Sequence, residues 1–386
     1  MRLRSVLLLI ILVRLCVSLA YTDPGCQPIM QQSRRVALVR ESMSERGGAV
    51  DGGFKDFCVV DKSNVWAIGI EGELGAKHCD VALSSSDGGH SWERKLTRQG
   101  ETFLGIFFVS PTTGWVVGAD TLILKSVDGG QTWFRQKAPI ESSFVKVLFF
   151  NEYQGWVLGN DGTLLTTQDG GEHWIDNNTK ATMQAGWVDG TFKGWLNALS
   201  FGDQLNGWVV GEHCQVYNST DGGLTWVAKE IHLPASMRSK ERDDINFLAV
   251  VFFNSRTGFM IAEIAGNRPE SIKRIVIFKT TSGGGDWVVA AEISNTGVSR
   301  VQFIDPNEIW IAVDQGAYLL RSTNGGINWT RVQFPSTGIG WPLMYFLDPH
   351  RGWIVSSVSG FSMNGLYTVN GGKRWKREKI KYSTTN

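Results

Sequence analysis

The chain has 386 residues, 42% of them hydrophobic and sixteen of them tryptophan, enough apolar material to bury a large core. Its 38 Lys and Arg balance 37 Asp and Glu to a formal net charge of +1. That balance argues against wholesale nucleic-acid binding, which usually needs a marked basic excess.

Residues 1–20 read as an export signal. Arg2 and Arg4 precede the apolar stretch Ser5 to Val13, and Ser18-Leu19-Ala20 offers the small residues of a cleavage site. Arg14 interrupts the apolar run, so a retained N-terminal anchor is the alternative. Arg14 and Leu15 are also the wrong neighbours for lipid attachment at Cys16. No other segment approaches the ~20 apolar residues of a membrane-spanning helix. Residues 21–50 form an N-terminal segment whose VALVR, from Val36, is extended enough to add a strand or to remain outside the fold.

Residues 51–381 are a repeat array, and 382–386 a tail. Seven times a Gly-rich turn runs into a tryptophan: SSSDGGHSW, KSVDGGQTW, TTQDGGEHW, NSTDGGLTW, KTTSGGGDW, RSTNGGINW and YTVNGGKRW, ending at Trp92, Trp133, Trp174, Trp226, Trp287, Trp329 and Trp375. Spacings of 41, 41, 52, 61, 42 and 46 residues are those of a propeller blade or a similar repeat. Before each turn stands an aromatic word (NVWAIG, GWVVG, GWVLG, GWVVG, GFMIA, EIWIA, GWIVS), and before that an apolar run (FCVV, GIFFV, KVLFF, ALSF, AVVFF, RVQFI, LMYFL). These β-branched and aromatic runs, separated by turn residues, read as strands A and B, then strand C, the turn, and strand D starting at the tryptophan. The fold class is therefore all-β, a seven-bladed propeller with four antiparallel strands per blade.

The turn has a structural purpose. In Ser126-Val127-Asp128-Gly129-Gly130-Gln131-Thr132-Trp133 the carboxylate is placed to accept backbone N–H groups of its own loop, and the glycines permit φ > 0. Asp87, Asp128, Asp169 and Asp221 occupy the acidic position; Ser282, Asn324 and Asn370 replace them in the last three copies. Turn formation tolerates that exchange, whereas carboxylate catalysis does not, and one active site has no use for seven copies.

With the signal removed, Cys26, Cys58, Cys79 and Cys214 remain, an even number that permits disulfides in an exported protein. Cys58 and Cys79, both in the first repeat, are the best candidate pair; Cys26 with Cys214 would tie the N-terminal segment to blade four. No metal or cofactor site stands out, because His78-Cys79 and His213-Cys214 lack a second ligand pair at useful spacing.

Loop lengths locate the working surface. The A–B turns are nearly constant and the C–D turns are the repeated word. The long connections are Ile70 to Asp80, Asn177 to Gly194, Ile231 to Ile245, Ile264 to Lys273 and Phe334 to Trp341. All are B–C loops or D–A connections, which share one face, and variable loops on a rigid scaffold are where binding concentrates. That face offers Arg238, Lys240 and Arg242 in one loop, Arg268, Lys273 and Arg274 in another, and Trp187, Phe192 and Trp195 as apolar anchors of the interface type. Two readings stand: a basic patch beside blades four and five, or solvated loop charges partly cancelled by Glu241, Asp243 and Asp244.

The segment GWVVGADTLILKSVDGGQTW, recurring at blade period between Phe54 and Lys381, resembles the photosystem II stability/assembly factor family of Asp-box (BNR-type) propellers. The resemblance implies a non-enzymatic, exported, monomeric protein of the periplasm or thylakoid lumen. It implies a membrane-protein complex as partner, bound on its non-cytoplasmic side, as newly made reaction-centre subunits are bound in that family. It also implies a basic patch, for which the Arg-rich loops above are the positions here. The rival is a glycoside hydrolase of the same propeller class. A sialidase needs an arginine triad, a Tyr/Glu pair and an acid/base Asp; the only Arg-Pro pair, Arg268-Pro269, lies in a late loop, and the chain holds seven Tyr. Three sequons, at Asn177, Asn218 and Asn328, are available for glycosylation in a suitable host.

Overall fold

The computed structural model describes residues 36–37, 52–71, 79–160, 162–177, 195–233, 245–264, 273–294, 296–313, 318–335, 342–356, 364–379 and 381–383. Seven four-stranded antiparallel sheets follow one another along the chain, each made of consecutive strands in the order A, B, C, D. The A strands are Gly52–Val59, Phe103–Phe108, Phe144–Phe149, Leu196–Phe201, Ile245–Phe252, Val298–Phe303 and Pro342–Phe346. A strands of neighbouring blades pack on one another around the axis, and the D strands form the outer rim. Burial follows this order. Every residue of Val298–Phe303 and of the B strand Gly114–Gly118 is buried, whereas both residues of the D strand Phe134–Arg135 are exposed.

Aromatic stacking joins the blades. The B-strand aromatic of one blade lies flat on the Phe at the end of strand A in the next: Trp66 on Phe108 at 3.7 Å, Trp115 on Phe149 at 3.4 Å, Trp156 on Phe201 at 3.7 Å and Trp310 on Phe346 at 4.0 Å between ring centroids. The tryptophan of the Gly-rich turn meets that stack edge-on, as Trp133 does Trp66 and Phe108. Gly130, at φ 76°, is glycine for a second reason: a Cβ there would come within 2.5 Å of the Trp66 ring.

The turns are stapled. Asp128 Oδ1 accepts the Thr132 N–H and the Ser126 hydroxyl, each at 2.9 Å, and Ser126 Oγ accepts the Gly130 N–H at 2.9 Å. Ser282, Asn324 and Asn370 accept the corresponding N–H of Asp286, Asn328 and Arg374, again at 2.9 Å. In all seven blades the first glycine donates its N–H to an A–B turn carbonyl at 2.7–3.0 Å, from Gly88 to Ser63 through Gly371 to His350. Within each blade the Asp-box turn and the A–B turn are thereby fastened together on one face.

Ring closure uses both ends of the chain. Lys381–Ser383 pairs in parallel with Ser91, Trp92 and Glu93 at the outer edge of blade one, so the segment expected as a tail opens with a strand. Val36–Ala37 pairs with Gln302 and Val301 at the inner edge of blade six and lies against strands A of blades one and five. Val36–Ala37, the start of VALVR, therefore adds a strand on the axis.

The expected Cys58–Cys79 disulfide is absent, and both thiols are free. Cys58 sits opposite Trp66 and Cys79 opposite Glu71 on the same B strand. Five residues of extended chain separate them by roughly 16 Å along that strand, far beyond bridging reach. Cys58 Sγ instead lies within the core at 3.2 Å from the Phe108 N–H, which it accepts, and burial pushes its thiol up to about 12. Cys26, the partner considered for Cys214, lies outside the described residues.

Candidate functional site

Every residue between 52 and 379 that falls outside the described set belongs to a B–C loop or a D–A connection. Of the sequence-derived binding residues, Arg238, Lys240, Arg242, Arg268, Trp187 and Phe192 lie outside the described residues; Trp195, Lys273 and Arg274 lie within them. Trp195 is half-buried at the entry to blade four, where its N–H donates to Glu212 Oε2 at 3.3 Å and its carbonyl accepts the Glu212 N–H at 3.0 Å. Lys273, exposed, is 3.1 Å from Glu263, and Arg274 is 3.9 Å from Glu292. Both cations on blade five thus face an acidic partner across the sheet, which moderates the positive field they project.

A charged cluster on the axis was not foreseen from sequence. Six of the A strands carry a bulge near their start, shifting register between Phe54 and Asp56, Phe103 and Gly105, Phe144 and Lys146, Leu196 and Ala198, Phe247 and Ala249, and Val298 and Arg300. The residue after the bulge stands at one height in each blade, two positions beyond the B-strand aromatic on the partner strand. Three blades place a charge there. Arg300 of blade six and Asp56 of blade one, both buried, are paired at 3.2 Å, past the intervening blade seven. Lys146 of blade three keeps some surface open to the axial space, yet protein encloses it. Burial lowers the Lys146 ammonium to about 8, with Arg300 lowering it further, Asp56 opposing, and no hydrogen bond offsetting the loss of water. Burial also raises Asp56 above the usual carboxylate range against the pull of Arg300 and Lys146. The cluster carries one excess positive charge.

The buried carboxylates among the described residues are each engaged: Asp56 with Arg300, Asp80 with Lys55 at 2.5 Å, and Glu308 with Arg321 at 2.6 Å. Asp80 also accepts the Phe103 N–H at 2.6 Å, tying blade one to blade two. Buried charges paired in this way are architectural. The register that assembles Asp56, Lys146 and Arg300 depends on the bulges of blades one, three and six. The sequence signal is a charged residue within a strand A run, and it does not single out this position, since Lys55 stands beside Asp56.

Comparison with known proteins adds to this geometry. Residues 86–184 match the family model described as "Photosynthesis system II assembly factor YCF48". No curated protein matches in sequence. Among solved structures, a protein described as "YCF48 bound to D1 peptide" is 19% identical over 80% of this chain and 90% of its own, with a TM-score of 0.55. YCF48 from Cyanidioschyzon merolae is 17% identical over 88% of this chain and all of its own, with a TM-score of 0.57. An ancestral GH74 enzyme is 12% identical, with a TM-score of 0.58, over 86% of this chain but 47% of that enzyme. At these identities the structural likeness speaks for the fold alone. With its seven Asp-box blades and the match over residues 86–184, the chain is a BNR-type β-propeller similar to the photosystem II assembly factors.

Proposed function

We propose that this chain is a non-enzymatic, exported propeller, monomeric in solution, that docks a polypeptide segment presented by a membrane-protein complex on its non-cytoplasmic side. The observation that carries this reading is the asymmetry of the two faces. One is closed by seven equivalent hydrogen bonds from Asp-box glycines to A–B turns; the other holds every long connection. The match of residues 86–184 to an assembly-factor family, and a similar propeller's description as bound to D1 peptide, favour a polypeptide client. A photosystem II reaction-centre subunit is the client that likeness suggests. Residues 1–20 direct export, placing the protein in a periplasm or thylakoid lumen. Arg238, Lys240 and Arg242 steer an acidic or carboxylate-bearing segment together with Arg268, Lys273 and Arg274, while Trp187 and Trp195 bury apolar contacts.

Affinity capture of the mature protein from its native membranes identifies the client, and association kinetics then test the face. Charge reversal of Arg238 and Arg242 together slows association and flattens its salt dependence, because exposed charges act chiefly on encounter. Truncation of Trp187 speeds dissociation, as for a buried anchor. If both variants capture the client as wild type does, the loop face is not the docking surface.

A further inference from the structure

The outermost strands of the blades differ in length and in chemistry. Strand D is two residues long in blades two, three and four (Phe134–Arg135, Ile175–Asp176, Val227–Ala228) and four in blades six and seven (Thr330–Gln333, Lys376–Lys379). Two are long: Ser91–Gln99 in blade one and Val288–Ser294 in blade five. The first is covered by Lys381–Ser383. No strand among the described residues pairs with the outer edge of the second.

These two strands are otherwise built alike. Each runs on past the turn tryptophan, and each bulges three residues beyond it. In blade one, Ala82 pairs with Leu96 and Leu83 with Arg94, leaving Lys95 out; in blade five, Ile277 pairs with Ala291 and Phe278 with Val289, leaving Ala290 out. Asp286, Trp287 and Val288 are therefore the counterparts of Ser91, Trp92 and Glu93, the residues that receive the fifth strand in blade one. What differs is the side chains. Blade one presents Glu93-Arg94-Lys95; blade five presents Val288-Val289-Ala290, with no charge between Asp286 and Glu292. Val288 is 62% exposed and Val289 38%. Edges of this length normally carry charge or are covered. Val127, Tyr153, Leu205 and Ile327 sit singly on turns of different blades, and Phe134 and Ile175 singly on two-residue D strands; none of these needs a partner.

We propose that the outer edge of blade five at residues 286–289 receives an extended apolar segment of a partner polypeptide, which joins the sheet as a fifth strand parallel to strand D. The chain performs the same addition on itself in blade one, where three residues of its own C-terminal end suffice. Backbone hydrogen bonds hold such a strand, and its side chains select it. β-Branched or aromatic residues lie beside Val288 and Val289, whereas a charge there gives up hydration without a partner. The bulge disfavours a second copy as occupant. An antiparallel pairing of two such edges about Ala291 would bring two Ala290 bulges into one ladder on two rigid propellers, while a flexible segment pairs only with the straight stretch before the bulge. This edge is separate from the loop face proposed above, although strand D ends at Ser294, opposite Arg274, so a docked segment runs along the rim towards that face.

The test uses the mature protein and a capped heptapeptide, Thr-Val-Thr-Val-Thr-Val-Lys, beside the same peptide N-methylated at alternate residues. The expected result is slowed amide exchange at residues 286–289 with the plain peptide and none with the methylated one. The double variant V288E/V289R, which transplants the chemistry of Glu93 and Arg94 onto exposed positions, binds the plain peptide at least about tenfold more weakly with an unchanged melting temperature. Equal binding by the variant, equal binding of the methylated peptide, protection elsewhere, or no binding at all overturns the proposal. So does a concentration-dependent dimer that the variant abolishes, which would assign the edge to a second copy.

Discussion

The indole N–H of Trp353 in blade seven donates to the Gly88 carbonyl in the Asp-box turn of blade one at 2.9 Å, so the last blade is joined to the first by the bond that Trp115 makes to Gly170 between blades two and three. Around it, His90 packs edge-on against Trp353 and Tyr367 and contacts Glu378 at 2.7 Å. Strand A of blade one ends in Val59 where the stacked interfaces have Phe, so this seam relies on the indole bond, the His90 contacts and Lys381–Ser383 on the rim. Each blade being contiguous in sequence, the ring is locked by this seam together with the strands that the two chain ends add to blades one and six.

Trp353 is fully buried, so removing its side chain should be severe. Trp353→Ala is expected to cost about 3–5 kcal/mol, and Trp353→Phe, which keeps most of the packing but loses the hydrogen bond, about 1 kcal/mol. Chemical denaturation measures both. Hydrogen exchange should show blades seven and one loosening first in the alanine variant; uniform loosening of all seven blades would contradict the account of the seam.

The Asp-box turns predict an acid response confined to part of the ring. Hydrogen bonds from the Thr132 hydroxyl and N–H hold Asp128 down to about 2. Against the desolvation that opposes it, bonds from His173 and Thr167 bring Asp169 to about 2; Asp87 and Asp221 are lowered likewise. Folded values below the unfolded value of about 3.9 mean that these turns contribute stability above about pH 4 and lose it as pH falls towards about 2. Ser282, Asn324 and Asn370 do not titrate there. On acidification, exchange at the turns of blades one to four should accelerate before that of blades five to seven. Asp128→Ala should lower the melting temperature without altering client capture, and Asp128→Asn should lower it less, since Asn324 and Asn370 make the same bond. Loss of capture with unchanged melting would move the working surface to this face.

Lys146 gives a pH dependence of the same sign in a higher window. Its folded value of about 8 lies below the unfolded value of about 10.4, so the unfolded chain binds more protons between these values and stability contributed by this group rises with pH there. Lys146→Met should therefore raise the melting temperature at pH 7, with the gain shrinking as pH approaches about 10. Thermal unfolding at both pH values measures this; an equal gain at both would mean that the lysine is not paying for burial of its charge.

Much of this protein was legible in its sequence because its physics is local and repeated. Seven copies of an Asp-Gly-Gly turn ending in tryptophan set blade number, strand order and the identity of the two faces. The turns form from bonds between residues two to four positions apart, such as Ser126, Asp128, Gly130 and Thr132. What sequence could not decide are the relations between distant residues. Cys58 and Cys79 belong to the same blade, but strand register places them at opposite ends of it. Asp56 and Arg300, 244 positions apart, meet because bulged A strands bring one position of each blade to the axis. The open edge at Val288 becomes visible only once the C-terminal strand is found covering its counterpart in blade one. Register, bulges and ring closure are settled by which side chains stack across blades, and a repeat pattern specifies the blade without specifying those cross-blade pairings.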